Sequence, residues 1–504
     1  MTLSCSCPFS VSQRLNDSQR YKHSRSDSTS ERLCLCICKN MQIRKIIDWK
    51  ICIFLLNSIL FYAKIRLKGA DYMLKRKIYH KLLEWKNKKE HTCLLVKGAR
   101  QIGKTFIIDL FGRENYKSYI YVNFIEMPQT KDIFDGELSA DEIYKRLTLV
   151  MPEVQYIEND TLIFLDEIQE CPNARTALKF LAIDGRFDVV ASGSLLGIRY
   201  KEVASIPVGY EEPIEMYSLD FEEFLWAMGY DDKKIAAIRE YFDRKEKVPE
   251  AVHEKMMSLL REYIVVGGMP AVVNKFVETH HFGEVHKIQQ AILESYYDDI
   301  SKYAANTEKP KVKNAYLSIP KQLAKENKKF QFSVVEKKAT ARKYENSIEW
   351  LRDASLVRMC YNVSAPDFPL TAYEKENQYK LYTSDIGLLV AMFEFDMKKA
   401  VIDNTLKGNV KGGIYENLVI DILSKRGYKL CYYRTDNGSV EIEFLMTKDA
   451  QVIPIEVKAG NGSTISLNRL LEKEDIPFGY KLISGNVGVT DKKIVLPLYM
   501  AMFI

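Results

Sequence analysis

A glycine-rich stretch has the residue types and the spacing of a phosphate-binding loop. Residues 98–105 place two glycines, a lysine and a threonine at the spacing G-x-x-x-x-G-K-T. The glycines let the backbone turn tightly, so that successive N–H groups point at phosphate oxygens. The residues predicted to bind a nucleotide are Gly98, Ala99, Arg100, Gln101, Ile102, Gly103, Lys104 and Thr105.

The sequence around this loop predicts the elements that hold it. An apolar run, Cys93 to Val96, precedes the loop and residues 106–110 continue it as a helix. Lys104 would reach the β- and γ-phosphates of ATP, and the Thr105 hydroxyl would ligate Mg²⁺. The N-terminus of the helix would add the positive end of its dipole.

Two acids follow a second apolar strand, Thr161 to Leu165. A strand that is apolar on both faces is typical of the middle of a parallel sheet, where ligands bind at the carboxyl end. Asp166 would hold the Mg²⁺ shell, and Glu167 would polarise the water that attacks the γ-phosphate. Alone, the pair could equally be a solvated turn, but after a complete glycine loop it predicts an ATPase.

Two serines follow the next predicted strand, residues 187–191. A polar side chain at this position can sense the γ-phosphate, so Ser192 and Ser194 join Lys104 and Glu167 as predicted catalytic residues. A simple Ser/Gly turn explains the two serines equally well.

A second constellation lies near the C-terminus. In the strand around Glu443 and in the strand that holds Glu456 and Lys458, the charged side chains alternate with apolar ones and share a face. With Glu416 from a preceding helix, these residues could bind a second Mg²⁺ or Mn²⁺ and cleave a phosphodiester. A solvated sheet face of Glu and Lys is the simpler interpretation.

Composition gives a soluble, multidomain chain. Its 504 residues are 47% hydrophobic and 28% charged, and a chain of this length favours about three domains. The formal charge of +6 comes from the start, since residues 1–72 hold 12 Lys/Arg against 5 Asp/Glu and the rest hold 61 against 62. The main body is near neutral, so bulk charge does not indicate a polyanion partner.

The leading segment differs from the rest of the chain. It holds six of the ten cysteines, but the C-x-C-x-C run at 34–38 lacks the usual zinc spacing. Its apolar run, 51–63, is shorter than the ~20 residues that a spanning helix needs, so a membrane partner is not favoured. We predict that residues 1–72 are an extension with little ordered structure, and that the protein is cytoplasmic because the other cysteines are scattered singly.

The remaining sequence predicts an α/β multidomain protein. A parallel sheet with helices on both faces is expected over 73–230, with its fifth strand at 214–219. A helical region, 231–329, contains a turn at Gly267-Gly-Met-Pro270. Residues 330–400 are predicted to form a winged-helix-like unit. Its helix at 342–353 could equally enter a groove of DNA or contact a protein. Residues 401–504 form the last predicted domain.

Eight motifs in order give the chain a family resemblance. Besides the glycine loop these are Leu-Asp-Glu-Ile-Gln at 165–169, Ala-Ser-Gly-Ser at 191–194, Leu-Asp-Phe-Glu-Glu-Phe at 219–224, Gly-Gly-Met-Pro at 267–270, Ser-Asp-Ile-Gly-Leu-Leu at 384–389, Gly-Ile-Tyr-Glu-Asn at 413–417 and Ile-Glu-Val-Lys at 455–458. Residues 73–504 thereby resemble the prokaryotic AAA-type P-loop ATPases with a C-terminal domain of unknown function 4143. The resemblance implies a winged-helix unit in the middle and a restriction-endonuclease-like fold at the end.

Two positions depart from that family pattern. Members usually show Glu-Val-Asp-Phe where this chain has Glu441-Ile-Glu443-Phe, and the longer Glu side chain moves the carboxylate. Members often carry Gly-Arg where this chain has Gly209-Tyr210, which removes an arginine for transition-state charge. The first departure weighs against efficient cleavage at the C-terminal site. The second predicts slow hydrolysis of ATP, or an arginine supplied by a second copy in a homo-oligomer.

Three functions are compatible with these patterns. The first is an ATP-dependent switch, in which Mg²⁺-dependent ATP hydrolysis controls a C-terminal domain that recognises DNA or a protein. The second is an ATP-regulated, metal-dependent nuclease. The third is a scaffold that binds ATP without hydrolysing it.

Overall fold

The computed structural model describes residues 73–89, 92–194, 209–304, 307–460 and 464–504. The predicted extension 1–72, with its apolar run and its C-x-C-x-C run, lies outside these residues. Within them, no helix combines the length and the apolar character that crossing a membrane requires. Residues Leu74–Ile504 form one compact unit.

A five-stranded parallel sheet forms the first part of this unit. Its order is β2-β3-β4-β1-β5, which puts the strand before the glycine loop between two neighbours. The strands are β1 (Cys93–Gly98), β2 (Ser118–Asn123), β3 (Thr161–Asp166), β4 (Asp188–Ser194) and β5 (Glu211–Glu215).

Helices cover both faces of this sheet, as predicted. They are α1 (Lys77–Lys86), α2 (Lys104–Asn115), α3 (Ala140–Val150) and α4 (Pro172–Asp184). Successive side chains of β1 point to opposite faces, so Leu94 and Val96 share one core with α1 and α2, whereas Leu95 shares another with α3 and α4. The parallel sheet with helices on both faces is therefore confirmed.

The fifth strand lies three residues earlier than predicted. We expected it at 214–219, but β5 ends at Glu215 and the chain continues as a loop. Among the described strands β5 lies at the edge and pairs with β1, so it tolerates a polar sequence and Pro213 and lacks the apolar pattern of the other strands.

The middle of the chain is helical. Its helices are α5 (Phe221–Ala227), α6 (Asp232–Arg244), α7 (Glu250–Val266), α8 (Pro270–Thr279), α9 (Phe282–Tyr303), α10 (Lys309–Leu323), α11 (Phe332–Val335) and α12 (Ala341–Asp353). The predicted turn at Gly267 separates α7 from α8. After α12 the chain continues as a strand, Val357–Val363.

An eight-stranded mixed sheet forms the last part. The strands are β6 (Val357–Val363), β7 (Glu374–Thr383), β8 (Cys431–Arg434), β9 (Glu441–Lys448), β10 (Gln451–Val457), β11 (Gly479–Ile483), β12 (Gly488–Thr490) and β13 (Lys493–Pro497). The helices are α13 (Ile386–Ala391), α14 (Asp396–Ile402), α15 (Gly408–Lys425) and α16 (Ile465–Leu471). Because β6 pairs with both β7 and β8, this sheet crosses the boundary predicted at residue 400.

A joint around Asp385 connects the three parts. Its carboxylate caps α13 by accepting from the Leu388 N–H at 3.1 Å, and it also accepts from Ser218 Oγ at 2.9 Å and from the Gly268 N–H at 2.8 Å. Gly268 has no room for a side chain, because a Cβ would lie 2.0 Å from the Leu219 carbonyl oxygen. Three of the eight motifs therefore meet in one place.

Candidate functional site

The glycine loop connects β1 to α2 in the conformation that its sequence predicts. Gly103 and Gln101 have φ angles of 88° and 63°, which turn the backbone just before α2 begins. Gly98 is required for a different reason, since a Cβ there would lie 2.4 Å from the Met216 carbonyl oxygen. The loop is thus shaped partly by the chain that follows β5.

Lys104 begins α2 and is only 7% exposed. Its Nζ donates to the Gly98 carbonyl oxygen at 3.0 Å and to that of Ala99 at 2.7 Å. Burial lowers the pKa of Lys104 to about 8, although Glu167 and Asp166 act in the opposite direction. The amine therefore lies inside the loop, close to the two acids at the end of β3.

Asp166 is the most connected side chain of the site and is 1% exposed. Thr105 Oγ1 donates to its Oδ2 at 2.8 Å, and Ser192 Oγ donates to its Oδ1. Tyr121 OH and Asn123 Nδ2, both on β2, donate to Oδ2 at 3.2 and 3.3 Å. Four side chains, together with the Glu167 N–H, therefore fix the carboxylate.

Thr105 and Asp166 are suited to hold Mg²⁺. They offer a hydroxyl and a carboxylate in contact with each other, and Mg²⁺ prefers oxygen ligands and binds through few protein groups together with phosphate oxygens. The residues predicted for the metal therefore lie together.

Glu167 follows directly, in the left-handed conformation with φ of 55°. Gln169 Nε2 donates to its Oε2. Left-handed backbone is uncommon for a residue other than glycine and is concentrated at functional sites. The Glu167 backbone N–H donates to Asp166 Oδ1 at 3.0 Å, so Glu167 joins the same cluster of hydrogen bonds through its main chain.

The two predicted serines differ in position. Ser192 contacts Asp166, so its hydroxyl fixes the carboxylate. Ser194 pairs in register with Gly98, and it lines a small cavity together with Ala99, Arg100 and Asp299. Both serines are buried beside the loop.

Contacts from α9 and from Arg76, the residue before α1, hold the outside of the loop. Arg100 forms an ion pair with Asp299, and Gln101 Nε2 donates to Ser295 Oγ at 2.8 Å. Arg76 donates to the Ile102 carbonyl oxygen at 3.0 Å and forms an ion pair with Glu223. Sequence reasoning missed all of these, because an acid within a long helix carries no local signal for a distant loop.

The C-terminal constellation also comes together. Lys458 Nζ lies 2.6 Å from Glu443 Oε1 and 3.9 Å from Glu456 Oε1. Glu416 lies 3.0 Å from Lys328 Nζ and 3.5 Å from Lys380 Nζ. Tyr382 OH donates to Glu416 at 2.9 Å. Lys328, Lys380 and Tyr382 were not predicted, because they come from elements before residue 400.

These acids are buried, and lysines accompany them. Burial raises the pKa of Glu456 to about 7 and also raises that of Glu443, against the influence of Lys458. Burial acts in the same direction on Glu416, but Lys380 and Lys328 outweigh it and lower the pKa. Each of the three acids thus has a lysine ammonium group as its ion-pair partner.

In this arrangement lysines neutralise the acids. Within the described ranges, no group of three or more His, Cys, Asp or Glu is arranged to hold one. Lysine amines take the positions beside the carboxylate oxygens that a cation would need. The second Mg²⁺ or Mn²⁺ remains a prediction without structural support.

Three family models match the chain. They describe an AAA domain over residues 90–225, a domain of unknown function (DUF8612) over 257–399 and a domain of unknown function (DUF4143) over 411–500. The predicted combination of an AAA-type ATPase with a C-terminal domain of unknown function 4143 is therefore confirmed.

One curated protein and several solved structures are similar. The uncharacterized protein MJ1544 of Methanocaldococcus jannaschii is 24% identical over 432 residues, which cover 81% of this chain and 82% of that protein. The Walker-type ATPase paby2304 of Pyrococcus abyssi has a TM-score of 0.39 at 13% identity and covers 64% of this chain and 96% of its own. The Aeropyrum pernix ORC1 protein in complex with DNA has a TM-score of 0.30 at 14% identity and covers 66% and 93%.

Proposed function

We propose that this protein, an AAA-type ATPase with a C-terminal domain of unknown function 4143, binds ATP with Mg²⁺ at residues 98–105 and hydrolyses it to switch a partner-recognising part of the chain. The observation that carries the proposal is the contact of 2.8 Å between the Thr105 hydroxyl and the Asp166 carboxylate. It joins the glycine loop to the acids of β3.

The residues divide the chemistry among themselves. The loop N–H groups, the start of α2 and Lys104 bind the phosphates. Thr105 and Asp166 hold Mg²⁺, which neutralises charge on the phosphate oxygens when it is bound. Ser192 keeps Asp166 in place, and Glu167 orients the attacking water and accepts its proton.

The contacts outside the loop suggest how the switch is transmitted. Arg100 and Gln101 are tied to α9, so a loop that rearranges around phosphates changes the contacts of that helix. The chain after β5 contacts the loop at Gly98 and reaches Asp385 through Ser218. A series of contacts thus runs from the nucleotide site to Asp385, which lies just after β7 of the C-terminal sheet.

ATP binding is tested first. A fluorescent ATP analogue should bind the wild-type protein in a Mg²⁺-dependent manner, bind Lys104→Ala at least about tenfold more weakly, and lose its Mg²⁺ dependence in Thr105→Ala. Thr148→Ala is the matched control, because Thr148 is exposed on α3 and its hydroxyl donates to the Tyr144 carbonyl oxygen of the same helix at 2.8 Å. Equal binding by wild-type and Lys104→Ala proteins would exclude the site.

The nuclease remains a second proposal because Glu443, Glu456 and Lys458 do converge. Plasmid and single-stranded DNA are incubated with Mg²⁺ or Mn²⁺, with and without ATP. Cleavage that disappears in Lys458→Ala but persists in Lys104→Ala and in the exposed control Lys448→Ala would establish the nuclease. If the wild-type protein does not cleave DNA, the nuclease is excluded and the ATP-dependent switch is the proposal that stands.

An arginine from a second copy of the chain is part of the proposal. Tyr210 stands where the family pattern often has arginine, so we expect turnover to depend on protein concentration if copies of the chain complete one another's sites. We also propose a cytoplasmic location, which is supported by the four cysteines among the described residues, since all four are buried and free.

A further inference from the structure

One segment of the near-neutral body is strongly basic. Residues 307–343 contain 11 Lys/Arg and 3 Asp/Glu, a net charge of +8. They form α10, α11 and the beginning of α12. The rest of the chain after residue 72 therefore has a net negative charge, and the near-neutral total conceals this local excess of cations.

The fold gathers much of this charge at one place. Glu308, just before α10, forms an ion pair with Lys311 at 2.6 Å and accepts from Ser347 of α12 at 2.9 Å. Glu336, just before α12, forms an ion pair with Lys343 at 2.8 Å. The start of α10 therefore packs against the middle of α12, and Lys343 foremost, with Lys311 of α10, lowers the pKa of the Glu336 carboxyl. Both acids already have lysine partners.

Other cations at this place remain without acids. Lys337, Lys338 and Arg342 are exposed, and none of the three has an ion pair within the part of the chain that the structure describes. With the partly exposed Lys309 and Lys311 and the exposed Lys343 they form a surface that we call the basic patch: Lys309, Lys311, Lys337, Lys338, Arg342 and Lys343.

The basic patch is unfavourable for the helix that carries it. The first turn of α12 contains no acid, and Thr340 provides no side-chain cap. Cations at the N-terminal end of a helix are repelled by its dipole, so this arrangement favours a polyanion that neutralises both.

We infer that the basic patch binds the sugar-phosphate backbone of duplex DNA. Single strands are bound by stacking bases on exposed aromatic rings, and lipid surfaces take up exposed apolar side chains. Among the described residues of 307–349, Leu317 is the one large apolar side chain that is exposed, and no aromatic one is. A regular array of phosphates is the partner that such a surface fits.

The same helix argues against sequence-specific reading. Glu345 and Glu349 are exposed further along α12 and would be repelled by DNA if the helix entered the major groove. The contacts are therefore electrostatic and independent of sequence, and their strength depends on salt. DNA would be the partner of the proposed ATP-dependent switch, so the biological role of the patch rests on that proposed function. DNA binding itself is measured without ATP.

The test is the affinity of the full-length protein for a labelled duplex of random sequence, about 30 base pairs or three helical turns long. Anisotropy is recorded between about 50 and 200 mM salt for wild type, for the triple variant Lys337→Gln, Lys338→Gln, Arg342→Gln, and for a control with the same change in charge, Lys233→Gln, Lys247→Gln, Lys399→Gln. The three control lysines are exposed elsewhere.

We expect the patch variant to bind at least about tenfold more weakly at low salt, and its plot of log affinity against log salt to be shallower by about 2 to 3, since each phosphate contact contributes about 0.9. The control should match wild type. The double variant Lys337→Gln, Arg342→Gln should show an intermediate loss, and thermal melting should show both patch variants folded.

Two results would overturn the inference. One is equal DNA binding by the patch variant and the wild type. The other is tighter wild-type binding to single-stranded DNA, to phosphatidylserine vesicles or to polyglutamate than to the duplex. Lys104→Ala should retain DNA binding, so a failure of the ATPase proposal and a failure of the basic patch are seen in different experiments.

Discussion

Asp166 is the residue at which the two halves of the nucleotide site meet. The sequence identified it, together with Thr105 and Ser192, because each lies near the end of an apolar strand or at the start of the helix after one, and the apolar pattern of those strands was readable. Tyr121 and Asn123 were not identified. They reach Asp166 because β2 pairs with β3 in a register that places Asn123 opposite Asp166, and strand order is not written in a local pattern.

Lys104 makes ATP binding depend on pH. Because burial lowers its pKa to about 8, the nucleotide-free protein loses this proton above that pH, and only the charged amine neutralises phosphate. We expect ATP affinity to fall by up to about tenfold per pH unit between roughly pH 8 and 9. The measurement is a titration of a fluorescent ATP analogue from about pH 7 to 9.

The control is Lys104→Ala, whose weak affinity should not change over this range. Without ATP, the unfolded lysine binds more protons than the folded one between about pH 8 and 10.5, so its contribution makes the free energy of unfolding rise with pH there. A wild-type affinity that is constant up to about pH 9 would contradict the assignment of Lys104.

At the scale of elements, α9 has a role that its sequence did not reveal. Asp299 is buried on α9, and burial raises its pKa despite the nearby Arg100. Its negative charge lies beside the loop that receives ATP phosphates. We expect Asp299→Asn to strengthen ATP binding by roughly threefold to tenfold, since about 1 kcal/mol of repulsion is removed.

The neighbouring residue provides the comparison for this experiment. Asp298 is exposed on the same helix, so Asp298→Asn changes the net charge equally while leaving Arg100 paired. Calorimetric affinities for ATP in the two variants decide the matter. If Asp299→Asn weakens binding, the carboxylate orients Arg100 for the nucleotide and does not repel it.

Two adjacent glycines of α15 have opposite surroundings. A Cβ at Gly413 would lie 2.3 Å from the Leu323 carbonyl oxygen at the end of α10, whereas a Cβ at Gly412 would meet nothing within 4 Å. We expect Gly413→Ala to lower the free energy of unfolding by about 2 to 4 kcal/mol, because backbone atoms cannot move aside cheaply.

The matched variant Gly412→Ala should be neutral or more stable by up to about 1 kcal/mol, because alanine is the better helix former. Denaturant unfolding of both variants is the measurement. Equal stabilities would mean that α15 and α10 are not in close contact. The result concerns function because α15 also carries Glu416.

For the whole molecule, the sequence predicted which helices and sheets form better than it predicted where they begin and end. The glycine loop, the parallel sheet and most helices followed from strong periodicity, and β5 was displaced because an edge strand has weak periodicity. The shared sheet could not be foreseen. β6 and β8 are separated by a long stretch of chain, and their pairing is decided by packing across the whole unit.

That shared sheet predicts how the protein can be divided. A polypeptide of residues 401–504 lacks β6 and leaves β8 with an open edge, so we expect it to aggregate or to lack a cooperative melt. A polypeptide of residues 307–504 keeps all eight strands and should melt cooperatively. A monomeric, cooperative fold of 401–504 in size-exclusion chromatography and thermal melting would contradict the continuity of the sheet.

The central claim is that ATP is hydrolysed at the end of β3, and phosphate release measured with Mg²⁺ in Glu167→Gln tests it most directly. We expect release at least about a hundredfold slower than in the wild type, with binding of ATP retained, because the general base is lost while the binding groups remain. The exposed control Glu158→Gln should match the wild type. Unchanged phosphate release in Glu167→Gln, or release that persists in Lys104→Ala, would contradict the account.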